Sequence, residues 1–284
     1  MALDFPNLIP PNNLRLPDAL TVRQGSGPLI GRLVLEGDIA ARAAGIHLRL
    51  RHDFDGLVDF SKSEAAAKRW YPVIDQFNPA RSDISPENGF WIAGENDDGE
   101  IVTVSAARVF DWHDTNLEEQ AVAVFYGRNG DHPCTITPAA APIARQISGL
   151  VYFAAAAWIR PDYRKRDLSQ LMQRMAKAYA LSRWPLDWAV GFVPRALADN
   201  GTATGYGVKH LAYSFFYPEL RWSELVLAYT TSDEVYDDFA IFLDAELSDP
   251  GSSKFAPRSL GSILTHEVTS VSPDVVRQGS SNRS

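Results

Sequence analysis

The sequence predicts a mixed α/β domain in which helices cover a central sheet. Three segments carry that expectation. Leu150–Ile159 is almost wholly apolar and is bounded by Gly149 and Pro161, the pattern of a fully buried strand. Leu168, Leu171, Met172, Met175, Ala178, Tyr179 and Ser182 recur at spacings of three and four, which is an amphipathic helix. Phe90–Gly94 and Ile101–Ala106 flank Asn96-Asp97-Asp98-Gly99, and the Asp-Gly pair marks a hairpin because Gly accepts positive φ.

The remaining elements follow in chain order. Residues 1–44 carry no catalytic motif and are read as an N-terminal extension. Gly45–Arg51 alternates apolar and basic residues, the signature of a half-buried strand. Asp53 or Asp55 opens a helix that runs to about Trp70, and Pro72 ends it. The second hairpin strand has room to run on to Phe110 or Trp112. Residues 113–149 read as an insertion, with a short helix over Leu117–Phe125 and a Gly- and Pro-containing loop after it. Asp187–Val193 is a short strand, and Pro194 begins a helix with Pro in its first turn. Leu211–Tyr217 and Glu224–Thr230 are two further strands. A helix from Asp233 to Leu247, with Ser232 as N-cap, ends the ordered domain of residues 45–247. From Ser248 the composition turns to Ser, Pro, Gly and Asn, so 248–284 is expected to be a disordered tail.

Composition narrows the functions. The net charge of −8 argues against a broad nucleic-acid surface, so any anion must be held by a local site. Cys134 is the only cysteine, which excludes an intramolecular disulfide and a zinc site built on several thiolates. The N-terminus lacks the basic and apolar regions of a secretory signal, and no apolar run approaches the roughly 20 residues that span a bilayer. A cytoplasmic protein without a membrane partner is the expectation.

The best local site lies between the buried strand and the amphipathic helix. The first backbone N–H groups of a helix lack intrahelical partners and, with the helix dipole, attract anions. Arg164, Lys165 and Arg166 stand at that mouth. A phosphate-bearing ligand fits this combination, although a capped structural helix with a solvated basic cluster would show the same letters.

Ile159-Arg160-Pro161-Asp162-Tyr163-Arg164-Lys165-Arg166-Asp167-Leu168-Ser169 resembles the acyl-CoA loop of the GNAT superfamily of N-acetyltransferases. In that family a hydrophobic-x-Pro loop follows the fourth strand, and Arg/Gln-x-x-Gly-x-Gly/Ala opens a helix. Arg164 matches the Arg/Gln, Asp167 stands at the first Gly, and Ser169 replaces the final Gly or Ala. The element order from about residue 45 to 247 is similar as well. The resemblance implies a mixed central sheet that splays between its fourth and fifth strands, here 150–159 and 187–193. It also implies that Trp158 and Ile159 offer backbone to pantetheine, while Arg164, Lys165, Arg166, Asp167, Leu168 and Ser169 cradle the pyrophosphate. Aspartate at 167 is the departure. Its charge about 5 Å from a phosphate costs roughly 1–3 kcal/mol at a partly screened site, unless the neighbouring cations offset it or Asp167 serves as helix N-cap.

By the same resemblance the activity is transfer of an acetyl group from acetyl-CoA, as co-substrate and without metal, to a primary amine by direct attack. The acceptor would be a small-molecule or peptide amine, and the oligomeric state, a homodimer included, is open. The family's usual acid is a Tyr before a Gly-aromatic pair. If Gly205-Tyr206 is that pair, the counted position is Gly201, so Tyr206 itself is the candidate acid, with a packing role as the alternative. Leu150–Ile159 holds no carboxylate or imidazole, and Asp111, His113 and Asp114 form the nearest cluster for a base. A non-catalytic relative that binds CoA or a protein partner is the competing reading.

Overall fold

The computed structural model describes residues 9–23, 25–127, 132–220 and 223–247. Strand β1 (Leu14–Arg15), helix α1 (Gly27–Ala43), strand β2 (His47–Arg51) and helix α2 (Phe54–Ala66) lead into the hairpin β3 (Gly89–Glu95) and β4 (Ile101–Trp112). Helices α3 (Leu117–Gln120) and α4 (Ala123–Tyr126), strand β5 (Thr135–Ile136) and helix α5 (Ala141–Gln146) occupy the segment read as an insertion. Then come β6 (Gly149–Ile159), α6 (Leu168–Arg183), β7 (Trp188–Pro194), α7 (Arg195–Asp199), α8 (Thr202–Gly205), β8 (His210–Phe216), β9 (Glu224–Thr231) and α9 (Ser232–Phe242). The tail at 248–284 lies outside the described residues.

The strands form one mixed sheet in the order β1-β2-β3-β4-β6-β7-β9-β8-β5. Each pairing is antiparallel except β6–β7, which is parallel. The local signals explain the elements. Asp53 caps α2 by accepting from Gly56 N at 2.9 Å. In the β3–β4 turn the Asn96 side-chain oxygen accepts from Asp98 N and Glu100 N, and Gly99 takes φ +77°. The last helix starts one residue earlier than the sequence suggests. Thr231 is its N-cap, in a capping box with Glu234, while the Ser232 hydroxyl is drawn away to the Leu186 carbonyl.

Helices cover both faces. On one, α1, α6 and α9 bury Leu33, Val34, Leu171, Met175, Tyr179 and Phe239 against the sheet. On the other, α2 and the short helices of 117–146 enclose Trp91, Phe125, Phe153, Trp158 and Val190. Residues 27–43, read from sequence as part of an extension, therefore form a core helix. A side chain at Gly37 would meet Met175 Sδ at 2.6 Å, so glycine sets how closely α1 approaches α6.

The expected splay is present. Pairing of β6 with β7 runs only from Val151–Trp188 to Ala154–Gly191. Beyond it β6 stays with β4 as far as Thr103–Ile159, and β7 stays with β9 as far as Pro194–Leu225. Ala155 is the extra residue of a bulge, since Ala107 faces Ala154 while Ala106 faces Ala156. A bulge bends and twists its strand, and this one falls where β6 leaves β7.

The capping box is open to test. Thr231→Ala should lower stability by about 1 kcal/mol in urea unfolding, and Ser232→Ala should leave the helix cap intact.

Candidate functional site

The divergence of β6 and β7 opens a cleft of about 1230 Å³. Its lining includes Tyr163–Gln170 and Tyr206, and also Trp70, Tyr71, Phe125, Phe153, Phe192 and Leu220 from the opposite core. The cleft thus passes through the sheet and joins its two faces. Ala155, Ala157, Trp158 and Ile159 line it, on the stretch of β6 that has no partner on the β7 side.

The loop sits at one mouth. Among the described residues, none of the backbone N–H groups of 165–169 donates to another backbone group. The helix bonds begin with Gln170 N and Leu171 N to the Asp167 carbonyl, at 2.9 and 3.3 Å. Five N–H groups beside an α-helix N-terminus make the anion cradle expected there. Lys165 and Asp167 take φ +63° and +52°, the left-handed region that glycine enters without strain. Asp167 thus occupies the N-cap position in a conformation that glycine adopts without strain. Its carboxylate does not cap the helix.

The cations divide into two groups. Arg160 is neutralised by Asp162 at 2.8 Å and Glu100 at 2.7 Å, and it holds both carboxyls below their usual range through those hydrogen bonds. Arg164 donates Nε to the Ile159 carbonyl at 3.0 Å, and Arg166 donates to the Asp162 carbonyl at 3.2 Å. Neither contact is with a carboxylate, so both positive charges remain available. The Tyr163 ring lies between Arg160 and Arg166, with centroid distances of 4.9 and 4.6 Å.

The structure gathers Trp158, Ile159, Arg164, Lys165, Arg166, Asp167, Leu168, Ser169 and Tyr206 along this cleft. Their roles differ in detail from the expectation. The Trp158 carbonyl accepts from Thr103 Oγ1 at 3.0 Å and the Ile159 carbonyl accepts from Arg164. Ala155 and Ala157, which lie nearer the parting of the strands, join them on the cleft wall. Tyr206 is half-buried. Burial raises its hydroxyl, while a hydrogen bond from Ser169 acts the other way. Leu168 is buried in the core beneath the loop.

His113 is not part of this site. It pairs with Asp111 at 2.5 Å on the exposed surface just past Trp112, beside the start of β6. Eleven residues of β6 put about 33 Å between that end and the loop. Among the described residues the carboxylates lining the cleft are Asp167 and Glu219, the latter paired with His132 Nδ1 at 2.5 Å. Sequence reading also missed the second polar stripe of α6. Gln173, Arg174 and Lys177 are all buried, and their spacing of three and four places them on one face of the helix without announcing that the face is covered. Among the described residues no three His, Cys, Asp or Glu side chains come together to hold a metal, and no helix is long and apolar enough to cross a membrane.

No protein-family model matches the chain, and no curated protein matches it. Among solved structures it is similar to aminoglycoside acetyltransferase AAC(6')-Ib in complex with coenzyme A and kanamycin, at 9% identity and TM-score 0.39, over 66% of this chain and 96% of that one. It is similar to Arabidopsis thaliana NAA60 in complex with acetyl-CoA, at 9% identity and TM-score 0.40, over 66% and 99%. It is also similar to FeeM, an N-acyl amino acid synthase from uncultured soil microbes, at 11% identity and TM-score 0.41, over 67% and 93%.

Backbone strain at 167 can be measured. Asp167→Gly should stabilise the protein by about 0.5–1 kcal/mol, and Asp167→Val should destabilise it by about 1–2 kcal/mol, both read from denaturant midpoints.

Proposed function

We propose that this protein is an acyl-CoA-dependent N-acyltransferase of the GNAT type, which transfers an acetyl group from acetyl-CoA to a primary amine by direct attack. The observation that carries the reading is the cleft through the splayed sheet, with five free backbone N–H groups and the Arg164–Arg166 cluster at one mouth. Acyl-CoA enters on the α6 face. Its pyrophosphate rests on the N–H groups of 165–169, and its pantetheine lies along residues 155–159, whose β7 side is unpaired. The thioester then falls near Ala154 and Gly191, where the strands part, and open backbone N–H groups of β6 suit the oxyanion that forms there.

The acceptor approaches from the other face. Trp70, Tyr71, Ile74, Phe125, Phe153 and Leu220 line that part of the cleft, and Glu219 is its carboxylate. Such a wall suits an amine carried on an apolar body better than a polycation, because it supplies apolar area and little negative charge. Glu219 is the group placed to take the amine proton, directly or through water.

A second reading is a CoA-binding module without turnover. What favours it is the lack of a carboxylate or imidazole on β6 itself.

Calorimetry with acetyl-CoA tests the binding step. Lys165→Ala, which removes an exposed cation, should weaken binding roughly five-fold, or about 1 kcal/mol, and raised salt should weaken the wild type as well. An absence of binding at millimolar acetyl-CoA would end the proposal. Thiol release measured with DTNB across apolar primary amines separates the two readings, since turnover with any of them removes the second.

A further inference from the structure

Behind the cleft, between α6 and the diverging strands, lies a smaller cavity of about 80 Å³. It shares Ala155, Ala157, Phe192 and Tyr206 with the cleft and is also lined by Ala154 and Gly191, the last paired residues of β6 and β7. Lys177 and Tyr152 line it as well. Lys177 is 5% exposed, and its Nζ donates to the Tyr206 carbonyl at 2.8 Å. An ammonium has three N–H donors, and among the described residues that carbonyl is its acceptor. The Tyr152 hydroxyl, 1% exposed, has no hydrogen-bond partner among the described residues. Two buried polar groups with unused capacity therefore line one cavity at the point where the sheet opens.

Tyr206 is placed differently. Its hydroxyl lies toward Ser169, in the first turn of α6. Lys177 lies eight residues further along, about 12 Å up the helix axis, at the level of the strand divergence.

We propose that Lys177 is a catalytic residue whose ammonium faces the sulfur of bound acyl-CoA and protonates the departing thiolate. The inference rests on the acyl-CoA reading above. The amine nitrogen attacks the thioester carbonyl carbon and a C–N bond forms. The C–S bond breaks with its electron pair going to sulfur. Lys177 Nζ–H supplies the proton that makes the free thiol, and the proton shed by the amine, taken up at Glu219, passes through solvent in the cleft to restore Lys177. Burial pushes the Lys177 ammonium down to about 8, Arg174 and Lys209 push the same way, and Asp238 opposes them. Those charges come from α6, from the α8–β8 turn and from α9, and Tyr152 of β6 completes the surroundings. A donor near 8 is well matched to a thiol, whose ordinary pKa is about 8.5.

The test is acceptor-independent. CoA is bound to the wild type and to Lys177→Met, its affinity is measured by calorimetry, and the bound thiol is titrated by its ultraviolet thiolate absorbance. In the wild type the bound thiol should titrate about one pH unit below free CoA, and in Lys177→Met that shift should vanish with CoA still bound. With an active amine, kcat should fall about 100-fold, and the decline in wild-type kcat above pH 8 should disappear. If Lys177→Met unfolds, Lys177→Gln, which keeps a polar but uncharged side chain, gives the same comparison. Equal thiol titration in wild type and variant overturns the role of Lys177 alone. Failure of the wild type to bind CoA overturns the acyl-CoA reading and this inference with it.

Discussion

Four residue pairs, Val151–Trp188 to Ala154–Gly191, make up the ladder between β6 and β7, and Asp187 closes its near end on Leu150. That short parallel pairing sets the rest of the architecture. Each strand is kept extended past the pairing by its outer neighbour, β4 for one and β9 for the other, so the gap between them is fixed from outside. Unpaired backbone in the middle of a sheet must find partners in solvent or in a ligand. The bulge at Ala155 turns β6 away, and a Cβ at Gly191 would come within 3.2 Å of the Ala154 carbonyl. Glycine there lets the two backbones meet closely just before they part.

The same helix that presents the loop also secures the turn carrying Tyr206. Arg174 pairs with Asp238 at 2.8 Å, both nearly buried, and donates to the Gly205 carbonyl at 2.9 Å, while Lys177 holds the Tyr206 carbonyl. Gly207, at φ +74°, sits so close to Asp238 that a Cβ would lie 2.2 Å from the carboxylate. A buried ion pair adds little net stability once desolvation is counted. Its effect here is positional: one turn of irregular backbone is fixed against α6 by two hydrogen bonds and a charge pair.

Much of this was legible in the letters. The strand at 150–159, the helix from 168 and the hairpin around Gly99 each had a strong periodic or turn signal, and each appears within a residue or two of its expected bounds. The loop residues were legible because a basic run and a helix start coincide. Helix α1 was not, because its stripe of Leu, Ile and Val is interrupted by Gly31, Gly37 and Asp38, and Asp38 is buried only because Arg15 and Arg42 meet it. Lys177 and Arg174 were hidden for a related reason. Polar residues on an amphipathic helix normally face water, and nothing local announces that a splayed sheet and a second helix will enclose them. His113 misled because it follows a strand in sequence, while the direction of β4 carries it to the far end of the sheet.

Asp167 shows what a search written in residue letters overlooks. A phosphate loop is commonly sought by its glycines, yet what an anion would meet here is a path of backbone N–H groups, and that path depends on dihedral angles. Here Asp167 and Lys165 hold the left-handed angles without glycine, between a buried strand and a buried helix. A signature composed of φ and ψ values and a strand divergence describes such a loop where a string of letters does not.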